Sequence, residues 1–179
     1  KQRLMFFNIY PVTEIYLDGK NIKLQLPSYS YHVDTENKIS FYKIYSPFNN
    51  KYKWITNCKA HHYQGYNQLP WYGENIIITK SLKDVAVLSL IDLPAIAPQS
   101  ESQVVSHEMY ENLVKRFTNI YIMYDNDNAG QAGAYATTET FNKIKPVFIP
   151  ADSGVKDISD YIHTYRYKAT GNLLKQLIC

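Results

Sequence analysis

The feature that most restricts the fold is a regular alternation of short apolar runs and amphipathic segments between residues 76 and 165. The apolar runs have the length of strands buried on both faces, and they comprise residues 76–79, 95–97, 120–124 and 147–149. The segments that follow them space their apolar residues as helices do, and they comprise residues 81–91, 106–117, 129–144 and 158–165. Strands and helices that alternate over short links form right-handed βαβ units, so we predict an α/β domain with a parallel sheet of about four strands.

The residues before this alternation differ in charge and in pattern. Residues 1–74 carry nine basic and five acidic side chains, a balance of +4, whereas residues 75–179 carry ten and eleven. Asp18-Gly19 between two β-type segments predicts a hairpin over residues 14–24. Further strands are predicted at 29–33, 39–45 and 51–56, with a linker at 65–73. We therefore expect a small, basic, β-rich subdomain over 1–74 and an α/β domain over 75–179.

Composition excludes several other classes of protein. The chain is 45% hydrophobic and 20% charged, as globular proteins are. Its longest apolar stretch, 85–97, is interrupted by Asp92 and Pro94 and is too short to cross a membrane. Two cysteines and no secretory leader suggest a reducing, cytoplasmic location without membrane partners. Because the sequence begins at Lys1, we expect a domain of a longer protein.

Acidic residues follow three of the predicted strands. Asp125 and Asp127 come after the third apolar run, Asp157 after the fourth, and Asp84 after the first. In a parallel sheet, ligands bind beyond the carboxyl ends of the strands, where these carboxylates would share one hard cation such as Mg²⁺. The alternative is that Asp127 or Asn128 caps the helix that follows.

Two neighbouring residues add a phosphate-binding character to this edge. Gly130 would keep the backbone low enough for a phosphate to approach the helix N-terminus, and Lys156 would contact it. The alternative for residues 157–160 is an N-cap of the last helix.

Three motifs then resemble a known family. The segments Ile76–Val85, Tyr124–Gly130 and Val155–Asp160 resemble, in this order, the motifs of TOPRIM domains. The Tyr-Asp-x-Asp-x-Ala-Gly and Lys-Asp-x-x-Asp patterns are most similar to bacterial and phage primases, particularly primase-helicases. The resemblance covers about residues 75–165. It implies a DNA primase core that makes RNA primers on single-stranded DNA from ribonucleoside triphosphates with Mg²⁺ or Mn²⁺, next to a replicative helicase in cis or in trans.

One position departs from the family. Lys80 stands where the family has a glutamate that acts as acid or base or helps to hold metal, while Asp84 fits the next acidic position. An ammonium group cannot ligate Mg²⁺. Lys80 would instead neutralise Asp125 or Asp127, bind a phosphate, or serve as a base after losing its proton. Glu101 would supply the missing carboxylate, or is an exposed loop acid.

The resemblance also implies roles for particular residues. The implied catalytic residues are Lys80, Asp84, Asp125 and Asp127. The implied metal ligands are Asp84, Asp125, Asp127 and Asp157. The phosphates would be held by Lys80, Lys83, Lys156 and Gly130. The template would lie along Lys43, Lys51, Lys53, Trp54 and Lys59.

In this template segment, the alternation predicts lysines on one strand face and aromatics on the other. The alternative is a solvated face over a packed core.

Three other kinds of site or function are compatible with parts of the sequence. A zinc site at Cys58, His61 and His62 lacks a fourth ligand, and we reject it. A metal-dependent nuclease would use the same carboxylates to activate water. A non-catalytic nucleic-acid-binding module would explain Lys80 as the mark of lost chemistry. We expect the primase before the module, and the module before the nuclease.

Overall fold

A computed structural model describes residues 2–100 and 102–178 of the chain. Two compact units divide after His62, whereas the sequence analysis places the division after residue 74. Residues 63–72 belong to the second unit because Tyr63 is buried in its core, and Gln64 forms an isolated antiparallel bridge with Ala97. Among the described residues, no helix is both long enough and apolar enough to span a membrane.

The first unit is mainly antiparallel sheet. Its elements are α1 (Gln2–Phe6), β1 (Ile9–Pro11), β2 (Glu14–Leu17), β3 (Lys20–Lys23), β4 (Tyr29–Glu36), β5 (Ile39–Tyr45) and β6 (Trp54–Thr56). One sheet has the order β1-β4-β5-β6, and β2 and β3 form the predicted hairpin. Asp18 and Gly19 both have positive φ, 50° and 74°, which two-residue hairpin turns of this kind require.

Two strands of this unit differ from their predicted lengths. β4 continues through the polar segment to Glu36, and the turn is made by Asn37 and Lys38, both with positive φ. β6 begins only at Trp54 because the side-chain oxygen of Asn49 accepts hydrogen bonds from the amides of Lys51 and Tyr52, at 3.1 and 2.8 Å. These bonds hold residues 51–52 in a turn rather than a strand.

The second unit contains the predicted parallel sheet. Its elements are β7 (Gly73–Thr79), α2 (Leu82–Leu88), β8 (Ala95–Ile96), α3 (His107–Arg116), β9 (Phe117–Met123), α4 (Asn128–Thr140), β10 (Ile144–Pro146) and α5 (Ile158–Ile178). The strand order is β10-β9-β7-β8, and every pairing is parallel. The predicted α/β class and the sheet of about four strands are therefore confirmed.

The sheet is the centre of this unit's core. Ile76, Ile77 and Ile78 of β7 are fully buried, as the continuous apolar run predicts. Burial of each such side chain stabilises the fold by about 1.5–3 kcal/mol. On α3, Leu113 is buried, and Ser106 is the N-cap because its Oγ accepts a hydrogen bond from the amide of Met109 at 3.2 Å.

The fourth strand lies three residues earlier than predicted. α4 ends at Thr140 rather than at residue 144, and β10 occupies 144–146 rather than 147–149. The prediction was wrong because it followed apolar character alone. Ile144 pairs with Ile120, while Val147 adds only one amide bond, to the carbonyl oxygen of Ile122 at 2.9 Å.

The last helix, α5, begins as predicted at Ile158 but continues to Ile178. Arg166, with φ of 67°, interrupts the helical backbone, so the predicted segment 158–165 forms the part of α5 before this kink.

Candidate active site

The register of two central strands brings the first site residues together. β7 and β9 are parallel neighbours, and their last residues, Thr79 and Met123, are paired. The chain therefore leaves both strands at the same edge of the sheet, with Lys80 after one and Asp125 after the other. This arrangement agrees with the prediction that the site forms at the carboxyl ends of the strands.

Lys80 forms ion pairs with two aspartates. Its Nζ contacts Oδ1 of Asp125 and lies 3.2 Å from Oδ2 of Asp157. Burial by itself would lower the pKa of Lys80, but the hydrogen bond to Asp125 and the charges of Asp157 and Asp84 raise the pKa above its ordinary value. Lys80 is therefore a charged partner that neutralises Asp125, as one of its predicted roles requires, and not a deprotonated base.

Lys156 joins a second pair of carboxylates. Its Nζ lies 3.1 Å from Oδ2 of Asp125 and 2.7 Å from Oδ2 of Asp127. The hydrogen bond to Lys156, followed by that from the Gly130 amide, lowers the pKa of Asp127. The Lys156 side chain is 56% exposed, so its ammonium can move away from the aspartates into solvent.

Lys83 binds the third aspartate. Its Nζ lies 3.0 Å from Oδ2 of Asp157, the same oxygen that faces Lys80. Burial opposes the charged form of Lys83, but the charges of Asp84 and Asp157 raise its pKa. Burial likewise favours protonation of Asp157, yet the amide of Asp160 and the charge of Lys83 lower its pKa. Both groups are therefore held in their charged forms.

Asp127 and Asp157 each serve two purposes. Oδ1 of Asp127 accepts a hydrogen bond from the Gly130 amide at 2.9 Å and caps α4. Oδ1 of Asp157 accepts one from the Asp160 amide at 2.7 Å, at the start of α5. The capping alternative is therefore confirmed for Asp127, and each of the two carboxylates directs its other oxygen to a lysine.

Asp84 is buried close to the ion pairs. It is 1% exposed, and its oxygens accept hydrogen bonds from the hydroxyls of Ser81, at 2.6 Å, and Ser159. Burial, and then the charge of Asp157, raises its pKa. Asp84 therefore joins α2 to the start of α5. Sequence analysis missed Ser81 and Ser159, whose only signal is a serine beside the first turn of each helix.

Gly130 has a packing role. It is buried, and a Cβ at this position would lie 2.3 Å from the carbonyl oxygen of Asp125 and 2.8 Å from its amide nitrogen. The first turn of α4 can approach Asp125 so closely only because residue 130 has no side chain. The space that was predicted to admit a phosphate is occupied at this point by Asp125.

Asn126 connects the loops that carry these residues. Its amide donates to the carbonyl oxygen of Lys156 at 3.1 Å, and its Nδ2 donates to that of Ile149 at 2.9 Å. Its Oδ1 accepts from Nε2 of Gln131 at 2.8 Å. Asn126 is not among the predicted site residues, although an asparagine between two aspartates in a tight loop is a usable signal.

In the first unit, the predicted template residues form cation–π contacts. Nζ of Lys43 lies 4.6 Å from the Trp54 ring centre, and Tyr45 stacks on the same ring at 4.3 Å. The predicted separation of lysines and aromatics onto opposite faces is wrong here. Tyr45 pairs with Trp54 across the strands, and Lys43 is two residues from Tyr45 on the same face.

The other predicted template lysines are exposed. Nζ of Lys51 lies 5.0 Å from the Tyr52 ring, and Nζ of Lys59 lies 5.4 Å from the Phe41 ring. Lys53 is exposed beside Trp54, whose side chain is 46% exposed. These three predicted template lysines are therefore accessible to solvent.

His61 and His62 meet Glu36 rather than Cys58. Both Nε2 atoms lie 2.8 Å from Oε1 of Glu36. The amide of Lys59 donates to Nδ1 of His62 at 2.8 Å, so a neutral His62 ring carries its proton on Nε2. That nitrogen donates to Glu36 and has no lone pair for a metal. The group of possible ligands that the structure brings together is Glu36, His61 and His62, within 4.8 Å of one another, and Cys58 is not part of it.

Solved structures of other proteins share the fold of this chain. No protein-family model and no curated protein matches the sequence, but solved structures do. A DnaG primase catalytic domain bound to single-stranded DNA is 13% identical with a TM-score of 0.74, over 99% of this chain and 68% of that one. The fold is that of a primase catalytic core.

Two further primase-core structures agree. The primase fragment of the bacteriophage T7 primase-helicase is 17% identical with a TM-score of 0.68, over 94% of this chain and 67% of that chain. The E. coli primase catalytic core is 15% identical with a TM-score of 0.67, over 99% and 60%. Within this primase-core fold, the strand-end edge carries the aspartates and lysines described above. Glu101, a candidate for the missing carboxylate, lies outside the described residues.

Proposed function

We propose that this chain is the core of a DNA primase, with a TOPRIM-type domain that links ribonucleotides on a single-stranded DNA template. The main support for the proposal is that the two carboxylates after β9, in a primase-core fold, face the same cation. Oδ2 of Asp125 and Oδ2 of Asp127 both face one cation, the Nζ of Lys156. Two carboxylates that face one monovalent cation lie close enough together to share a divalent one.

The donor set fits Mg²⁺ or Mn²⁺. Asp125 and Asp127 supply hard oxygen ligands, and Lys156 is exposed enough to leave them. A divalent ion bound there would attract the triphosphate of a ribonucleotide and stabilise the charge that develops on its phosphorus oxygens. Lys156, released from the carboxylates, would then bind a phosphate.

The other residues of the site have supporting roles in this proposal. Lys80 holds Asp125 in position, and Lys83 stands half exposed beside Asp157, where it can contact a phosphate. Asp84 fixes α2 against α5 through its two serine partners. The predicted ligand Asp157 directs its uncapped oxygen at lysines, so the metal would be held by Asp125 and Asp127.

The first unit would bind the template. Lys43, Lys51, Lys53 and Lys59 would neutralise the phosphate backbone, and the exposed part of Trp54 would stack on a base. Support comes from the similarity to a primase domain bound to single-stranded DNA. The similarity to a primase-helicase fragment supports the proposal that a helicase is a partner.

A second candidate function is a non-catalytic nucleic-acid-binding module. Lys80 favours it, because this lysine occupies the position of the family glutamate and contacts Asp125 directly. In such a module, the lysines would simply neutralise the aspartates, and binding to DNA would need no metal.

The experiment is the incorporation of a labelled ribonucleotide on single-stranded DNA with Mg²⁺ or Mn²⁺. Asp125→Asn is the test variant, and Asp152→Asn, at an exposed position outside the site, is the matched control. The primase predicts incorporation by the wild type and by Asp152→Asn, and none by Asp125→Asn. Metal-independent DNA binding without incorporation by the wild type would establish the module instead, and shortened DNA would establish a nuclease.

A further inference from the structure

Two lysines each connect Asp125 to one other aspartate of the site. Lys156 joins Asp125 to Asp127, and Lys80 joins Asp125 to Asp157. Asp125 therefore directs one oxygen at each lysine. A site for two divalent ions would use both positions, so each ion would have to displace one of these two lysines.

The two lysines differ in how easily they can leave. The Lys156 side chain is 56% exposed and extends from a loop, whereas that of Lys80 is only 21% exposed. Lys80 follows directly from Thr79, which is buried and paired with Met123 in the sheet. Its partners are also buried, since Asp125 is 3% and Asp157 is 7% exposed. Withdrawal of Lys80 would leave Asp125 paired with Lys156 alone and Asp157 paired with Lys83 alone. Both of these lysines are more than half exposed, so the two buried carboxylates would lose their most buried counter-ion, which is unfavourable.

Both oxygens of Asp157 already have partners within the chain. Its Oδ1 accepts the hydrogen bond from the Asp160 amide, and its Oδ2 lies within 3.2 Å of Lys80 and 3.0 Å of Lys83. A divalent ion between Asp125 and Asp157 would also repel the ammonium of Lys80 at close range. The position between these two aspartates is therefore already filled by a cation that belongs to the chain.

We propose that Lys80 is a resident cation that replaces one divalent ion, so that the strand-end site binds a single divalent ion, between Asp125 and Asp127. The location of that single ion rests on the proposed function, whereas the role of Lys80 does not. The lysine in place of the family glutamate is then a change in metal number rather than a loss of the site.

The test counts Mn²⁺ ions bound by the whole chain, using electron paramagnetic resonance of free Mn²⁺ during titration. The wild type is expected to bind one ion and Lys80→Glu two. The matched control Lys143→Glu is expected to bind one, because it makes the same change of charge at an exposed position after α4. Two ions in the wild type, or no gain in Lys80→Glu, would overturn the proposal. If the wild type binds none and Lys80→Glu binds one, Lys80 has the proposed role and the Asp125–Asp127 metal site of the proposed function is wrong.

A second variant covers the case in which Lys80→Glu does not fold. Lys80→Gln removes the charge and keeps a hydrogen-bond donor near Asp125. It is expected to melt at a lower temperature than the wild type in EDTA and to regain most of the difference when Mg²⁺ is added. A melting temperature equal to that of the wild type in EDTA, with no response to Mg²⁺, would contradict a counter-ion role for Lys80.

Discussion

The amide of Asn126 donates a hydrogen bond to the carbonyl oxygen of Lys156 at 3.1 Å, which joins the loop after β9 to the loop before α5 through the backbone. Asp125 and Asp127 flank Asn126 in the first loop, and Asp157 follows Lys156 in the second loop. The backbone therefore helps to set the spacing of the charged groups, and single side chains of the site can be changed while the loops stay in place.

Replacement of Lys156 by methionine should tighten divalent-ion binding. The variant removes the ammonium that contacts Asp125 and Asp127 and leaves the backbone bond from Asn126 intact. An exposed ion pair is worth up to about 1 kcal/mol, so the dissociation constant for Mn²⁺ should fall by about fivefold. Lys143→Met is the matched control, because it changes the net charge equally at an exposed position after α4. Equal affinities for the two variants would show that Lys156 does not compete with the metal.

Replacement of Gly130 by alanine should destabilise the second unit. The new Cβ would lie 2.3 Å from the carbonyl oxygen of Asp125, so the first turn of α4 would have to move. Overpacking of this kind costs about 1–3 kcal/mol of unfolding free energy. Gly171→Ala is the control, because a Cβ at residue 171 meets nothing within 4 Å, and alanine there should stabilise α5 by about 0.5–1 kcal/mol. Urea denaturation measures both, and a Gly130→Ala variant as stable as the wild type would contradict the packing role.

Glu36 should make the first unit sensitive to acid. Its hydrogen bonds with His61, and then with His62, lower its pKa below the ordinary value of 4.5. The folded state therefore favours the carboxylate, and the resulting stability is present above pH 4.5 and lost as the pH falls through the lowered pKa. Glu36→Gln should melt at a lower temperature than the wild type at pH 7, and the difference should shrink below pH 4.5. A difference that stays constant down to acidic pH would exclude this source of stability.

Trp54 should contribute to binding of single-stranded DNA. The stacking of a base on an aromatic side chain is worth about 1–3 kcal/mol, so Trp54→Ala should weaken binding by about tenfold, as measured by fluorescence anisotropy. Trp71→Ala is the control, because Trp71 is 87% exposed and lies outside the predicted template residues. Equal losses for the two variants, or none for either, would remove Trp54 from the template surface.

The parallel sheet could be predicted because its strands are buried on both faces and appear as continuous apolar runs. The same rule misplaced the fourth strand, because Val147 and Ile149 are buried although the strand ends at Pro146. Apolar character reports burial, whereas strand boundaries depend on backbone pairing. The shortened β6 has a similar cause, in the hydrogen bonds that Asn49 accepts.

The candidate site could be predicted only in part. Parallel strands bring their carboxyl ends to one edge, and the positions of Asp125 and Asp127 after β9 follow from that rule. The position of Asp157 follows less directly, because β10 ends at Pro146 and Asp157 directly precedes α5. The sequence does not indicate which group each carboxylate oxygen contacts, because the partner is often distant in the chain. Asp84, for example, accepts a hydrogen bond from Ser159, 75 residues away. The sequence therefore indicated which charges would meet, and the structure shows how the lysines are distributed among them.

The most direct test of the proposed nucleotide site is a crystal structure of the chain with Mn²⁺ and a ribonucleoside triphosphate, with anomalous data to locate the metal. We predict one Mn²⁺ bound by Asp125 and Asp127 with the triphosphate on it. Lys156 should be displaced to a phosphate, and Lys80 should remain between Asp125 and Asp157. Manganese between Asp125 and Asp157 with Lys80 displaced, or a triphosphate bound away from these aspartates, would contradict it.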